Sequence, residues 1–426
     1  MAAPASNFFG AQLLSYLKTR FPQKVIENIF KFGKPTFEAI GVPKDELTGL
    51  KTIVPFKLGT PQGLGNSLKG AIRSITAGSA GAWTVDRQKF FAALTIDSES
   101  MYATKGREGS FVAAREVETN DLIDAMGQEF EKHLWGTGLP TQARVLTDPG
   151  VTNVWVVTSA TDIMKISKGM RFLVFADSAG VPGAVRAGGP YIVSGVQYKA
   201  KTFTTTAVAN AAVAVTDHIV REGDCAESVE GDPTTATVST VLTGIPGWIP
   251  TSAPSATLHF GVDRSEHPEV LAGWRGDFLG SIEESAKTLD ALMRPYGRKA
   301  KQLWLSAANY NRLEFELGAR AIRMDDGSKA TFGRPSIAMT TASGVLPIKV
   351  GPYVPDTHGF LLDMATFDIL CLGKVPHKIM DDGMEAYRIR GGNSAANAED
   401  GIAMEWRAWL QLVCNQPFDN GNFPIS

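Results

Sequence analysis

Residues 50–98 constrain the fold of this chain most, because they describe an extended excursion that cannot be stable alone. An apolar stretch at 53–58 leads into the glycine-rich segment TPQGLGNSLKG, and a second extended run, AWTVDRQKFFAALTI, follows the sequence GSAG. This pattern predicts two long strands with a flexible end between them. A pair of strands without further cover is marginal in water and needs a surface to lie on. We expect another subunit to supply that surface.

The first 60 residues form a basic and amphipathic segment. Residues 1–35 predict two short helices, since Phe9, Leu13 and Leu17 share one helical face and a second apolar face follows. Residues 1–60 hold eight Lys and Arg residues against four Asp and Glu residues. Two interpretations stay open: a solvated basic face on helices that dock against the protein's own core, or an arm that binds a partner.

The middle of the chain changes from a helical to a β-rich pattern. The longest helix is predicted over 110–135, with Ser110 as a candidate N-cap and Gly136 beyond its end. Residues 140–243 are rich in Thr, Val, Ala and Gly, and short alternating runs are separated by turn residues. These runs predict an inserted β-rich module of the kind that closes into a small barrel or sandwich.

Mixed helices and strands return after residue 254. Ser281 and Glu284 form a capping box that opens a helix ending at Met293. The elements predicted beyond it are a strand at 302–306, a helix at 307–317, strands at 346–350, 359–363 and 367–372, a hairpin turned by Asp381, Asp382 and Gly383, and a long alternating strand at 402–414.

The composition argues against several classes of protein. The 426 residues carry 42 Lys and Arg against 44 Asp and Glu, a net charge of -2, which does not describe a strongly basic nucleic-acid-binding surface. Three cysteines far apart in sequence argue against a disulfide framework or a cysteine zinc cluster and fit a reducing compartment. We expect neither a signal peptide nor a membrane-spanning segment, since the apolar runs are too short.

No motif points to catalysis. The segment 63–68 begins like a dinucleotide fingerprint, but Leu68 stands where the third glycine belongs. The six histidines lack the spacing of metal ligands, and Ser15 and Lys18 spell an S-x-x-K pattern without its partner motifs. We therefore predict that the protein is not an enzyme and has no catalytic, cofactor-binding or metal-binding residues.

The order of these elements, and several stretches, resemble the major capsid proteins of tailed bacteriophages, which have the Hong Kong phage-type fold. FVAAREVETNDLIDAMGQEFEKHLWGTG is similar to the family's spine helix, and VLTGIPGWIP resembles the stretch that normally follows soon afterwards; the inserted module separates the two here. The other similar stretches are AKQLWLSAANYNRLEFELG, FGRPSIAMTTASGVLPIKV, GFLLDMATFDILCLG, HKIMDDGMEAYRIRGG and GIAMEWRAWLQLVCNQPF. The resemblance covers residues 45–135 and 243–420.

This resemblance implies an α+β fold, the phage major capsid fold, with an inserted β-rich domain. The implied parts are an N-terminal arm at 1–49, an extended loop at 50–98, a peripheral domain with the spine helix at 99–139, the inserted domain at 140–243, the peripheral domain continued at 244–280, an axial domain at 281–372, and C-terminal strands of the peripheral domain at 373–426.

The resemblance also implies a function. The protein would self-assemble into the pentamers and hexamers of an icosahedral head that encloses double-stranded DNA, in the virion, after assembly in the host cytoplasm. Its partners would be copies of itself, the packaged DNA without sequence preference, and portal, scaffolding and decoration proteins, with no membrane and no cofactor. Lys18, Lys24 and Lys31 are the candidate DNA-facing residues of the arm.

Some family members crosslink their shells covalently through a lysine. Lys57, Lys69 and Lys89 lie in the extended loop, but no catalytic carboxylate can be assigned, so we expect no crosslink. Two alternatives to the phage capsid stay open: a bacterial nanocompartment (encapsulin-like) shell protein on the same fold, and an enzyme or binding protein with an unrecognised site. The basic arm and the insertion favour the phage protein.

Overall fold

The fold is described from a computed structural model of the chain. The structure describes residues 34–41, 43–47, 51–97, 114–150, 152–227, 233–297, 300–317, 322–324, 336–342, 344–373, 375–379, 387–389 and 401–426. The two predicted N-terminal helices and the turn at Asp381 lie outside these residues.

The described helices number eight and the strands twenty-four. The helices are α1 (Pro35–Ile40), α2 (Leu68–Arg73), α3 (Ala114–Leu134), α4 (Ala160–Lys165), α5 (Ile245–Trp248), α6 (Pro268–Ala272), α7 (Ile282–Met293) and α8 (Ala307–Leu317). The strands are β1 (Lys44–Asp45), β2 (Lys51–Lys57), β3 (Ala80–Asp86), β4 (Gln88–Asp97), β5 (Thr141–Thr147), β6 (Val154–Val157), β7 (Arg171–Ser178), β8 (Val181–Val185), β9 (Tyr191–Gln197), β10 (Thr202–Thr205), β11 (His218–Arg221), β12 (Cys225–Glu227), β13 (Ala236–Val238), β14 (Trp274–Arg275), β15 (Gln302–Leu305), β16 (Ile322–Met324), β17 (Ser336–Thr341), β18 (Gly344–Val350), β19 (His358–Leu362), β20 (Phe367–Cys371), β21 (His377–Lys378), β22 (Tyr387–Ile389), β23 (Gly401–Cys414) and β24 (Gly421–Pro424).

Two compact units make up the described chain. The smaller unit includes residues of Lys89–Glu129 and Cys371–Trp409, and the larger unit includes Lys34–Gln88, Phe130–Leu370 and Leu410–Ser426. In the smaller unit β4, β21 and β22 all pair with β23. The predicted alternation of β23 is confirmed over Met404–Leu410, since every second side chain is buried.

The hairpin predicted from 377 to 390 is wrong for the described strands. His377 pairs with Arg407, and Tyr387 pairs with Ala403, so β21 and β22 each pair with β23. Both strands run antiparallel to β23, so they run parallel to each other and cannot be the two arms of one hairpin.

A seven-stranded sheet in the larger unit has the order β14-β24-β19-β15-β18-β17-β16. Helix α7 packs on this sheet. It begins where the capping box predicts, since the Ser281 hydroxyl accepts a hydrogen bond from the Glu284 amide. The buried residues of α7 recur at helical spacing and pack with the strand residues Leu303, Leu361 and Phe423. They are Ile282, Ala286, Leu289 and Met293. The predicted strand at 302–306 and helix at 307–317 are confirmed as β15 and α8.

The segment 141–221 forms a closed antiparallel barrel. Its strands follow one another in the order β11-β5-β6-β10-β9-β7, and β11 pairs with β7 as well as with β5, which closes the ring. The core consists of buried aromatic rings whose centroids lie 5.2–5.9 Å apart. These rings belong to Trp155, Phe172, Tyr191 and Phe203. Side chains fill the interior, as is usual for a barrel this small.

The extended excursion begins as an antiparallel hairpin. Strands β2 and β3 pair in register from Lys51 opposite Asp86 to Lys57 opposite Ala80. The run predicted as one strand from Ala82 onward is divided at Arg87, because β3 pairs with β2 whereas β4 joins a different sheet.

Candidate intersubunit surfaces

The base of the hairpin is anchored in its own subunit. Trp83 is 1% exposed, and its ring lies 4.8 Å from that of Phe56 and meets the Trp248 ring edge-on at 5.3 Å. A Cβ at Gly81 would come within 2.6 Å of the Phe56 ring, so glycine is what allows this ring to cross the neighbouring strand. The subunit itself therefore supports the base, which corrects the expectation that another subunit supports the whole hairpin.

The far end of the hairpin exposes a row of aliphatic side chains. We call these four residues the hairpin tip: Leu64, Leu68, Ile72 and Ile75, which are 57–81% exposed. The last three follow helical spacing on and just after α2, which begins where the Ser67 hydroxyl accepts a hydrogen bond from the Gly70 amide. The sequence reasoning missed this short helix, although the spacing of its leucines and isoleucines was available. Apolar side chains this exposed typically mark a contact surface.

The chain after the N-terminal arm is fixed to the end of α3. Glu131 accepts hydrogen bonds from the backbone amides of Thr36 (3.0 Å) and Phe37 (2.9 Å), and the Trp135 indole donates to the Thr36 hydroxyl (2.8 Å). These amides begin α1 and have no partner within that helix. Burial raises the pKa of the Glu131 carboxyl, and the hydrogen bonds from Thr36 and Phe37 oppose the shift. No local sequence signal identified this contact.

The two ends of the inserted module meet at the end of α3. Thr137 forms a β-bridge with Thr243, and the Val241 amide donates to the Gly138 carbonyl (3.1 Å). The Gly244 amide donates to the Gly136 carbonyl (3.1 Å). The structure thus brings together the two sequence stretches that the insertion separates.

A charged network closes the barrel. The ring nitrogens of His218 on β11 lie 2.9 Å from the Thr141 hydroxyl and 2.9 Å from an Asp177 carboxylate oxygen. Burial lowers the pKa of His218, and the bond to His218 lowers the pKa of Asp177. Arg186 donates two hydrogen bonds, of 2.9 and 3.0 Å, to the buried Asp217. These contacts hold β11 between its two neighbours.

The candidate DNA-facing residues Lys18, Lys24 and Lys31 lie outside the described residues, as does Ser15 of the S-x-x-K pattern. Lys57, Lys69 and Lys89 are exposed. The dinucleotide-like segment 63–68 contains Leu64 and Leu68 of the hairpin tip and ends at the first residue of α2.

Few described groups are poised for chemistry. Burial raises the pKa of the Cys414 thiol to about 12, which leaves little of the nucleophilic thiolate. Burial and the charge of Arg264 lower the pKa of His259 to about 3, so its imidazole is neutral at pH 7. Within the described ranges, no three His, Cys, Asp or Glu side chains are grouped to hold a metal. The helices described here include none with the length and apolarity to cross a membrane.

No protein-family model matches the sequence, and no curated protein matches it. Among solved structures, the chain is similar to the capsid asymmetric unit of cyanophage A-1(L), with 9% identity, 95% of this chain and 96% of that chain covered, and a TM-score of 0.52. A structure from Mycobacterium phage Adephagia (9% identity, 100% and 98% covered, TM-score 0.45) and the capsid of a native GTA particle (7%, 100% and 100%, 0.46) also match.

The similarity to the cyanophage capsid spans nearly the whole of both chains. The chain therefore has the α+β fold of the tailed-phage capsid proteins, the Hong Kong phage-type fold, as the order of elements in the sequence indicated.

Proposed function

We propose that this protein is the major capsid protein of a tailed phage, which self-assembles into the pentamers and hexamers of a shell around double-stranded DNA. The observation that carries the proposal is the hairpin: its base is built into a folded subunit, while its tip exposes four large aliphatic side chains. A subunit that remained single would leave this surface in water. A shell of identical copies would bury it, with a gain of about 1.5–3 kcal/mol for each large aliphatic side chain fully covered.

Within this proposal the described elements take the roles that the resemblance implies. The β2–β3 hairpin is the extended loop, α3 is the spine helix, strands β15 to β19 of the sheet covered by α7 belong to the axial domain, and the barrel is the inserted domain. The domain boundaries in this proposal are those predicted from the sequence. The protein would act without catalysis, in the virion, after assembly in the host cytoplasm.

The first experiment is to express the chain alone and image it by electron microscopy. Closed shells are expected from the natural sequence and from Leu68→Met, which keeps an apolar side chain at the hairpin tip. Leu68→Asp should give folded subunits that do not close, because a charge would be buried without a partner. Shells from Leu68→Asp that match the natural ones in number and stability would refute the role of the tip.

The arm and the DNA are tested separately. Deleting residues 1–35 should prevent closed shells while leaving soluble subunits.

The net charge of -2 favours weak, salt-sensitive contacts with phosphates and no reading of base sequence. Changing Lys18, Lys24 and Lys31 to Gln should weaken DNA retention in opened particles at low salt, and a sequence-specific footprint by the subunit would contradict the proposal.

The nanocompartment is the second candidate on the same fold. Particles that enclose DNA at virion density favour the phage protein, whereas particles that enclose a folded protein favour the nanocompartment.

A further inference from the structure

The far half of the hairpin carries positive charge beside its exposed apolar side chains. Residues 52–85 contain no Asp or Glu. Lys69 and Arg73 lie four residues apart in α2, so both are on one side of this helix, next to the apolar face that carries Leu68 and Ile72. The hairpin tip therefore has a cationic edge, and a surface that matches it combines apolar area with negative charge. The exposed cations of residues 52–85 are Lys57, Lys69 and Arg73.

A surface with these properties lies at the base of the hairpin. Residues 258–269, which we call the acidic segment, include Leu258, whose side chain is 65% exposed. The one Lys or Arg in this segment is Arg264, and its guanidinium donates hydrogen bonds to two backbone carbonyls of α5 (3.0 and 3.1 Å). The segment thus presents negative charge together with an exposed leucine. Its acidic residues are Asp263, Glu266 and Glu269, of which the two glutamates are exposed.

The charges of the two surfaces are not neutralised within the described part of the chain. By contrast, the charges at the start of the hairpin are paired there, since Lys51 lies 3.2 Å from Asp86. Charges of opposite sign that border exposed apolar side chains are the features by which two protein surfaces recognise each other. The residues without an ion pair in the described ranges are Lys69, Arg73, Glu266 and Glu269.

The tip of a hairpin does not cover the acidic segment of its own subunit. The Thr84 amide donates a hydrogen bond to the Phe260 carbonyl (2.8 Å), which fixes the acidic segment to the base of the hairpin. From Thr84 to Ala80 the strand extends about 13 Å, at roughly 3.3 Å per residue, and the hairpin tip lies beyond Ala80. Leu258 and the tip are accordingly both exposed in the single subunit. Another copy is needed to bring the two surfaces together.

We propose that the hairpin tip of one subunit binds the acidic segment of a second copy of this chain. This proposal rests on the proposed shell function and names the surface that covers the tip. Lys69 and Arg73 lie against the two exposed glutamates, while Leu258 packs on the apolar face of α2. Charge complementarity fixes the orientation of the contact, and burial of the apolar side chains stabilises it.

The proposed contact also has a direction. The hairpin tip and the acidic segment are different surfaces, so each subunit uses its tip on one neighbour and its acidic segment on another. Contacts of this head-to-tail kind form rings when the rotation between subunits closes. The contact therefore fits the pentamers and hexamers of the proposed shell.

The test exchanges the charges in the full chain, expressed alone and imaged by electron microscopy. The tip-reversed variant carries Lys69→Glu and Arg73→Glu, and like charges across the contact should lower the yield of closed shells by about tenfold or more at low salt. Adding Glu266→Lys and Glu269→Lys to this variant should restore the yield to at least about half of the natural one, because opposite charges face each other again.

A matched control adds Asp277→Lys and Glu284→Lys to the tip-reversed variant instead. Both of these carboxylates are exposed in the same unit but lie outside the acidic segment. The control makes the same change in net charge, and we expect it not to restore the shells. Equal restoration by the two exchanges would show that net charge alone governs assembly, and this result would overturn the contact.

A second measurement uses natural shells and needs no reversed variant to fold. A water-soluble carbodiimide joins a lysine amine to a carboxylate in contact with it, and mass spectrometry identifies the joined peptides. We expect Lys69 joined to Glu266 or Glu269 several-fold more in shells than in unassembled subunits. The signal should disappear in Lys69→Arg shells, because this substitution keeps the charge but removes the amine.

Two further results would contradict the contact. One is a natural yield of shells from the tip-reversed variant, and the other is Lys69 joined only to carboxylates outside the acidic segment. If the natural chain forms no shells, the proposed function fails together with the contact. Natural shells in which Lys69 is not joined to the acidic segment refute the contact alone.

Discussion

The close approach at Gly244 predicts what an added methyl group would cost at the joint between α3 and the inserted barrel. A Cβ at this position would lie 2.3 Å from the carbonyl oxygens of both His133 and Leu134. Gly244 has a φ of -86°, which any residue can adopt, so the requirement is for space and not for conformation. Atoms in good contact are about 3.5–4.0 Å apart. Gly244→Ala therefore has to displace backbone.

The loss of stability expected for Gly244→Ala depends on which of the neighbouring atoms can move. Overpacking a filled site costs about 1–3 kcal/mol, and a flexible side chain nearby would keep the cost low. Here both obstacles are backbone carbonyls in the last turn of α3, next to the buried side chains of Leu134 and Trp135. We therefore expect Gly244→Ala to lower the free energy of unfolding by an amount near the upper end of this range, about 3 kcal/mol. This corresponds to roughly a hundredfold decrease in the ratio of folded to unfolded subunit.

The matched control is Gly223→Ala. A Cβ at Gly223 meets nothing within 4 Å, and its φ is not in the left-handed region, so alanine should be neutral or stabilise by about 0.4–1 kcal/mol through the unfolded chain. The assay is urea unfolding of the unassembled subunit, followed by tryptophan fluorescence. Equal midpoints for the two variants would show that the packing at Gly244 is looser than the structure indicates and would refute the argument.

Four further predictions concern other parts of the larger unit. Glu131→Ala should speed hydrogen exchange of the two amides that this carboxylate binds by about tenfold or more, because each buried amide left unpaired costs about 1–3 kcal/mol; unchanged exchange would contradict the contact. His259 is neutral when folded, with its pKa lowered from 6.5 to about 3, so the unfolded chain binds a proton first and stability is lost as the pH falls from about 6.5 toward 3, at up to roughly 1.4 kcal/mol per pH unit. His259→Phe should flatten that part of a stability profile measured against pH. Trp83→Ala should lower the free energy of unfolding by about 3–5 kcal/mol and make the hairpin sensitive to limited proteolysis. Ile53→Ala, at an exposed position of β2, should change neither the stability nor the rate of proteolysis. Replacing residues 141–240 with a short Gly-Ser linker should leave a soluble, folded subunit whose shells open at a lower temperature, and loss of all soluble protein would place the segment in the main core.

Local sequence patterns predicted the elements whose structure depends on neighbours along the chain. The capping box at Ser281 and Glu284 marks the start of α7, the apolar spacing before Gly136 marks the end of α3, and alternation marks β23. These patterns indicate which face of a helix or strand is buried, because the side-chain period of a helix and that of a strand are the same in any fold. The joint order of such elements was enough to indicate the capsid fold.

Contacts between distant residues could not be predicted in this way. Nothing near Arg87 shows that β3 and β4 belong to different sheets, and nothing near His377 shows that β21 pairs with β23. A strand pattern specifies a side-chain register and a buried face, but several partners satisfy it equally well. The choice among them depends on the whole set of strands.

The sequence by itself therefore determined the three longest of the described helices, the long strand β23, the β-rich nature of the insertion and the class of fold. Only the tertiary structure decided that β11 closes a barrel, that Thr137 meets Thr243 across the insertion, and that Glu131 holds the chain after the arm. Each of these contacts joins residues far apart in sequence, so each is formed only when the intervening chain has folded and its loop-closure entropy has been overcome. Helical and strand periods carry no information about such pairs.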